Sequence, residues 1–347
     1  MLIEEIPVTE CSKGEIIASD VTNVSGITLV AKDTVLNEYL VKKLIDLGIR
    51  NVHIYNSNAA CLKDCSPSFR DFRKNYESIV LYTKKVLYDL AAGKPLDYKK
   101  VSSISSQIHN NLNENYSIIR CLAEVRSADE YTYTHCVHTS FYSMLIAKWL
   151  KMSDHEINKA IQAGLLHDIG KTKIPGQILC KGDILTKEEY EVIKKHTIWG
   201  YEMIEGMNEI DQEVKSVVLL HHERVDGSGY PLNKSADCLN VYSKIVAIAD
   251  VFDAMTTDRV YKKRVTPFEA FEMFLTVGMG MFDLELLRVF LNNLSSYLVG
   301  ASVLLNNGQT GEIVYVPLQN LTCPIIKVPS GYLDLSRENG LKILSMI

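Results

Sequence analysis

A chain of 347 residues with 47% hydrophobic content has ample apolar material for a core, and its length points to two or three domains. Charged residues make up 23% and the net charge is -5, which argues against general affinity for nucleic acid polymers or for an anionic membrane surface. The acidic N-terminus MLIEEIPVTE lacks the apolar segment of a signal peptide and the eight cysteines show no paired metal spacing, so a reducing cytoplasm is the expected compartment.

In chain order, Glu15 to Val21 and Ile27 to Ala31 read as two short strands joined at Ser25-Gly26. A helix follows, with Leu40, Val41, Leu44 and Leu47 on one stripe and Gly48 at its stop, and then a strand from Val52 to Tyr55. This ββαβ module, residues 1–65, is small for a domain stable alone. It reads as a structural cap or as the docking point of a signalling partner. After a polar linker, residues 66–128 carry two helical patterns: Tyr76, Ile79, Val80, Val86, Leu87 and Leu90, and then Val101, Ile104, Ile108, Leu112, Ile119, Leu122 and Val125. They read as a linker or as the dimerisation helices of a homodimer; the alternative is packing on the following domain, because no clear charge pairing flanks the stripes.

From Asp129 the sequence changes character. DEYTYTHCVHTS places His135 in the early turns of a helix, with His138 one turn on and read as a supporting core histidine. The apolar run Ile157, Ile161 and Leu165 delivers His167 and Asp168 to a helix end within GLLHDIGK. An imidazole beside a carboxylate can hold a divalent transition metal, and the second carboxylate oxygen can bridge to another ion. Partners follow. A capping box at Thr186 and Glu189 opens a helix whose inward face carries Tyr190, Ile193 and His196. Val217 to Leu220 end in His221-His222, and Ile245, Ala249 and Phe252 mark the helix of Asp250. Imidazoles on the apolar sides and ends of helices are costly to bury unpaired, so a two-metal site is the leading hypothesis. Within HHERVDGSGYP, Gly227, Gly229 and Pro231 shape a loop, Tyr230 stacks on a nucleotide or anchors that loop, and Glu223 and Asp226 read as structural or as orienting histidine N–H groups. The uncharged run Val289 to Gly311 is too rich in Asn and Ser for a membrane span. It reads as a helix end leading into a β extension at 299–347, with strands Val303 to Leu305, Glu312 to Val316 and Pro324 to Val328.

HDIGK, His196, HHE at 221–223, DGSGYP at 226–231 and Asp250 inside IADVFDAMT, in this order, resemble the HD-GYP family of the HD phosphohydrolase superfamily over roughly residues 129–294. The resemblance implies a mainly α protein: an all-helical HD-type catalytic domain, taken as 129–298, with the small N-terminal α+β module and the short C-terminal β extension. It implies hydrolysis of the bacterial second messenger cyclic di-GMP to pGpG, or on to GMP, at a centre of iron or manganese. Carried over residue by residue, His135, His167, Asp168 and Asp250 hold one metal. Asp168 bridges to a second, completed by His196, His221 and His222. Two metals about 3.5 to 4 Å apart can share a nucleophilic hydroxide and neutralise charge on the phosphate. Lys171 matches a lysine near the scissile phosphate, and Tyr230, Asp253, Arg259 and Lys262 match ligand contacts, with Asp253 resembling either a base-binding carboxylate or one that supports the metal ligands. Some members hold a third metal through a carboxylate at the position of Tyr131, so two metals are expected here. Two alternatives stand beside this reading: a cyclic dinucleotide receptor without turnover, and an HD phosphohydrolase acting on cyclic GMP-AMP or another nucleotide.

Overall fold

The structure, a computed structural model, describes residues 3–32, 34–55, 67–111, 118–119, 122, 131–258, 264–338 and 340–347, with backbone alone at 67–71 and 131–132. The chain divides into two compact units. Met1–Ser66, Val265–Met273 and Arg288–Ile347 form one, and Pro67–Arg264 with Phe274–Leu287 form the other.

The first unit contains strands β1 (Ile3–Pro7), β2 (Val21–Thr22) and β3 (Thr28–Val30), helix α1 (Glu38–Asp46) and strand β4 (Asn51–Tyr55). Strand β1 pairs antiparallel with β4 and was not legible, because its residues alternate no apolar face and stand largely exposed. The expected first two strands shrink to a short ladder: Val21 faces Val30, while Ile16 and Ile17 make isolated bridges to Val35 and Ile54. Their turn is fixed by Asn23, whose side-chain oxygen accepts from the amides of Ser25 and Ile27. Helix α1 starts at Asn37, which accepts from Leu40 N, and Gly48 follows its end at φ +75°.

The C-terminal part of this unit is a five-stranded antiparallel sheet of β5 (Ser302–Leu305), β6 (Thr310–Tyr315), β7 (Ile325–Val328), β8 (Gly331–Asp334) and β9 (Ile343–Met346), in the order β8-β7-β6-β5-β9. The N-terminal module packs on it. Tyr39 of α1 lies 5.9 Å from the ring of Tyr315 and 5.6 Å from that of Tyr332, and Lys43 stands over Tyr315. A module too small to bury a core of its own thus shares one with the other end of the chain.

The second unit is helical. It holds α2 (Pro67–Ala91), α3 (Tyr98–His109), α4 (Tyr131–Trp149), α5 (Asp154–Leu166), the short α6 (Gly176–Leu179), α7 (Lys187–Lys194), α8 (His196–Ile204), α9 (Gln212–Leu220) and α10 (Val241–Thr256). Leu112 and Val125 of the second helical pattern lie outside the described residues, whereas Ile119 and Leu122 are buried. Helices α4 and α5 pack along each other, α10 lies against both, and α2 packs on α3, α4 and the turn at Ile169–Lys173. No helix among the described residues is long and apolar enough to cross a membrane.

Candidate metal centre

Local sequence places each ligand. Ser153 and Glu156 cap α5 reciprocally, so the helix runs in a fixed register to His167 at its last turn, and Asp168 leaves helical geometry at φ -104°. The following turn lies directly against α8. A Cβ on Gly170 would overlap the carbonyl of His196 and meet Gly200 N at 2.5 Å, so only hydrogen fits there. His196 begins α8, His221 caps α9 with His222 next, His135 lies one turn into α4, and Asp250 faces inward from α10.

All seven expected metal ligands converge. Ligand atoms of His135, His167 and Asp250 lie within 4.8 Å of one another, as do those of Asp168, His196, His221 and His222. Asp168 stands between the two sets. Its Oδ2 is 3.2 Å from His167 Nε2 and 3.6 Å from His135 Nε2, and its Oδ1 is 3.3 Å from His196 Nε2 and 3.8 Å from His221 Nε2. Asp250 spans the sets as well, with Oδ1 3.0 Å from His135 Nε2 and Oδ2 3.8 Å from His222 Nδ1.

The imidazoles are oriented from behind. His167 Nδ1–H donates to the Gly164 carbonyl at 2.8 Å and His196 Nδ1–H to that of Ile193 at 2.6 Å, while His221 Nδ1 is 3.2 Å from the carbonyls of both Val217 and Val218. Each Nε2 is thereby left as a lone pair aimed at Asp168. His167 Nε2 and Asp168 Oδ1 are buried and carry no hydrogen bond. Orphaned groups of this kind are costly in an apolar interior, and a set of imidazole nitrogens and carboxylate oxygens suits a divalent transition metal. The residues present therefore fit a two-metal centre.

Electrostatics agree for three of the rings, whereas His135 is pushed up to about 9, against burial, by its hydrogen bonds to Asp250 and Asp253. Burial drives His196 down to about 4 and holds His221 and His222 well below the usual histidine range, so these rings are neutral ligands. For Asp168 burial favours the neutral acid, but the neighbouring Lys171 ammonium opposes it and helps keep the carboxylate ionised. Burial likewise opposes the charge on Lys171, whose ammonium is nevertheless retained by Asp168 and Asp250. The Lys171 amine donates to Asp168 Oδ2 from a position partly open to solvent.

Other expected site residues fall differently. Asp253 is 1% exposed and makes no open contact surface. It accepts from His135 Nδ1 at 2.7 Å and His138 Nδ1 at 2.7 Å, the contacts of a carboxylate that supports ligands from behind, the other role open to it beside substrate binding. Its place on α10, three residues after Asp250, turns it toward the back of His135. Tyr230 stacks on His222 with ring centroids 4.6 Å apart, so one face of the phenol is already covered. Lys194, which sequence reasoning passed over, stands 5.6 Å from the ring centroid of Tyr190 and 5.8 Å from that of Tyr230. Arg259 and Lys262 lie outside the described residues, as does the side chain of Tyr131.

Glu223 touches no histidine N–H. Its carboxylate accepts from Leu232 N at 2.6 Å and Lys234 N at 3.0 Å, cinching the GYP loop, while Asp226 accepts from Ser228 N inside the loop. Gly229 packs on the backbone of His222 and Glu223 with no room for a Cβ. Glu223→Gln, which can satisfy one of the two amides and opposes the other with its NH2, is expected to destabilise the loop by about 1–3 kcal/mol. Faster limited proteolysis between 226 and 234, with a lowered melting temperature, would show this; an unchanged cleavage rate would refute it.

The HD domain family matches residues 118–286. A cyclic di-GMP phosphodiesterase of Pseudomonas aeruginosa is 32% identical over 240 residues, spanning 69% of this chain and 58% of that protein. One from Thermotoga maritima is 34% identical over 212 residues, spanning 61% of this chain and 57% of that protein. A 3'3'-cGAMP-specific phosphodiesterase of Vibrio cholerae is 31% identical over 176 residues, spanning 50% of this chain and 33% of that protein. The chain thus spans less than two thirds of the length of each of these relatives. Among solved structures, an HDG"Y"P protein from Bdellovibrio bacteriovorus shares the fold with a TM-score of 0.55 at 16% identity, over 83% of this chain and 98% of that one.

Proposed function

We propose that this chain, whose residues 118–286 match the HD domain family and which carries the HD-GYP signature, is a metal-dependent phosphodiesterase hydrolysing cyclic di-GMP to pGpG, with GMP as the product of a second step. The observation that carries this reading is the carboxylate of Asp168 set between two histidine groups, with buried ligand atoms left without hydrogen bonds.

His135, His167, Asp168 and Asp250 would hold one ion, and Asp168, His196, His221 and His222 the other. When bound, an iron or manganese pair supplies Lewis-acid charge and an ionised water near neutral pH. The residues of the chain do the rest. Lys171 keeps its ammonium at the rim, where its Nζ can bind a non-bridging phosphate oxygen or give a proton to the leaving 3′ oxygen. The cinched GYP loop presents Tyr230 beside His222. Arg259 and Lys262 are proposed as the cationic grip on phosphate or guanine. The N-terminal module is proposed as the point where a signalling partner acts, and the 66–128 helices as the dimer contact.

Cyclic GMP-AMP is the second reading, favoured by relatives named as 3'3'-cGAMP-specific phosphodiesterases. The intact ligand set argues against a receptor without turnover. Anaerobically purified, metal-analysed protein incubated with each cyclic dinucleotide, with products followed by chromatography, decides among them. Conversion of cyclic di-GMP to pGpG is expected, and is expected to vanish in His167→Ala with Asp168→Ala. Tight binding of cyclic di-GMP by metal-loaded protein without product would establish the receptor reading instead.

A further inference from the structure

We infer that Tyr76 and His138, acting through Asp253, are positioning residues of the metal centre, so that α2, which precedes the segment matched by the HD domain family, forms part of that centre. The inference rests on the metal-dependent reading above and adds to it a route by which the N-terminal half of the chain sets the metal site.

Four groups lie in an unbroken line of short contacts. Tyr76 Oη is 2.6 Å from His138 Nε2, His138 Nδ1 is 2.7 Å from Asp253 Oδ1, and His135 Nδ1 is 2.7 Å from Asp253 Oδ2. All are at most 1% exposed, so water does not substitute for any of them. Thr257 Oγ1 donates to Asp253 Oδ1 at 3.0 Å as well.

The chemistry of the groups sets the direction of every bond. Three donor-capable groups converge on the Asp253 carboxylate, Thr257 Oγ1 and His138 Nδ1 at Oδ1 and His135 Nδ1 at Oδ2. A carboxylate only accepts, so His138 and His135 must each donate from Nδ1. His138 Nε2 is then a lone pair, and the Tyr76 hydroxyl is the donor that satisfies it. At the other end the same bonds leave His135 Nε2 directed at Asp250 and Asp168, where a metal would sit. Packing fixes the donor: Tyr76 lies against His138 and Phe141, and Phe72, one turn earlier on α2, against Phe141. Without the hydroxyl, His138 carries a buried acceptor with no donor, and its ring gains by turning away from Asp253. His135 then loses the partner that fixes its tautomer. In the other half of the centre, His196 and His221 are oriented by backbone carbonyls and not by this line.

Metal binding tests it without any substrate. The full chain, stripped of metal, is titrated anaerobically with Mn2+ and read by elemental analysis and electron paramagnetic resonance. Wild type is expected to bind two ions and give the exchange-coupled spectrum of a pair. Tyr76→Phe is expected to keep one ion at wild-type affinity, to bind the second about 10-fold more weakly, and to show the mononuclear spectrum at limiting metal. His138→Gln should behave alike, and the double variant should be no worse than either single one, as groups in series require. The retained ion serves as the folding control. Two ions bound by Tyr76→Phe at wild-type affinities, an equal weakening of both, or fewer than two ions in wild type would each overturn the inference. A wild type that binds two ions and turns over no cyclic dinucleotide would sink the proposed reaction while leaving this one standing or falling by the variants.

Discussion

Asp168→Asn is expected to give a folded protein whose turnover of cyclic dinucleotide is lower by at least about 10^3-fold, and which holds fewer than two ions. The carboxylate is 2% exposed and faces both histidine groups, one through each oxygen. An amide keeps the shape but presents an NH2 to one set of imidazole lone pairs and removes the negative charge that faces His135 and Lys171. A single charge lost here weakens both halves together, in contrast to Tyr76→Phe, which acts on one. Elemental analysis of the purified variant beside product chromatography reads the two effects. A variant that still holds two ions and still forms pGpG would remove Asp168 as the bridge.

Gly170→Ala is expected to abolish activity almost as completely, from a single added methyl that touches no ligand side chain. The methyl would occupy the space of the His196 carbonyl and crowd Gly200 N, both backbone, so neither can swing aside as a side chain would. Either the turn bearing Asp168 lifts off α8 or the start of α8 retreats, and in both cases Asp168 Oδ1 and His196 Nε2 leave their 3.3 Å approach. Overpacking of this sort costs about 1–3 kcal/mol. The expected signature is a lower melting temperature with a selective loss of the ion at His196, His221 and His222. Wild-type metal content and rate in this variant would show that the turn tolerates displacement.

The ligands were readable because each lies at a point where two local rules meet: an apolar helical stripe delivers it inward, and its side chain has no business in an apolar interior except beside a cation. His135, His167, His196, His221 and Asp250 all satisfied both. Tyr76 satisfied only the first, since a tyrosine on a helical stripe reads as core, and nothing local announces that its hydroxyl meets a histidine more than sixty positions later. Asp253 was visible as a carboxylate close to Asp250, but which way it turns depends on the packing of α4 against α10, a tertiary fact. Of the two roles open to Glu223, the structural one holds, and the sequence could not choose it because the two amide partners come from a loop that doubles back on it. In the N-terminal module the helix α1 and strand β4 followed from periodicity and a stop glycine, whereas β1 has no apolar alternation and exists because β4 offers it an edge.

Tyr39 wedged against Tyr315 and Tyr332 has a consequence for biosynthesis. During translation the first module emerges with its aromatic face uncovered and stays so until β6 and β8 are made. At about 5–20 residues per second the delay is about 15–60 s. Loss of β8 would therefore be felt first at α1, through the uncovered ring of Tyr39.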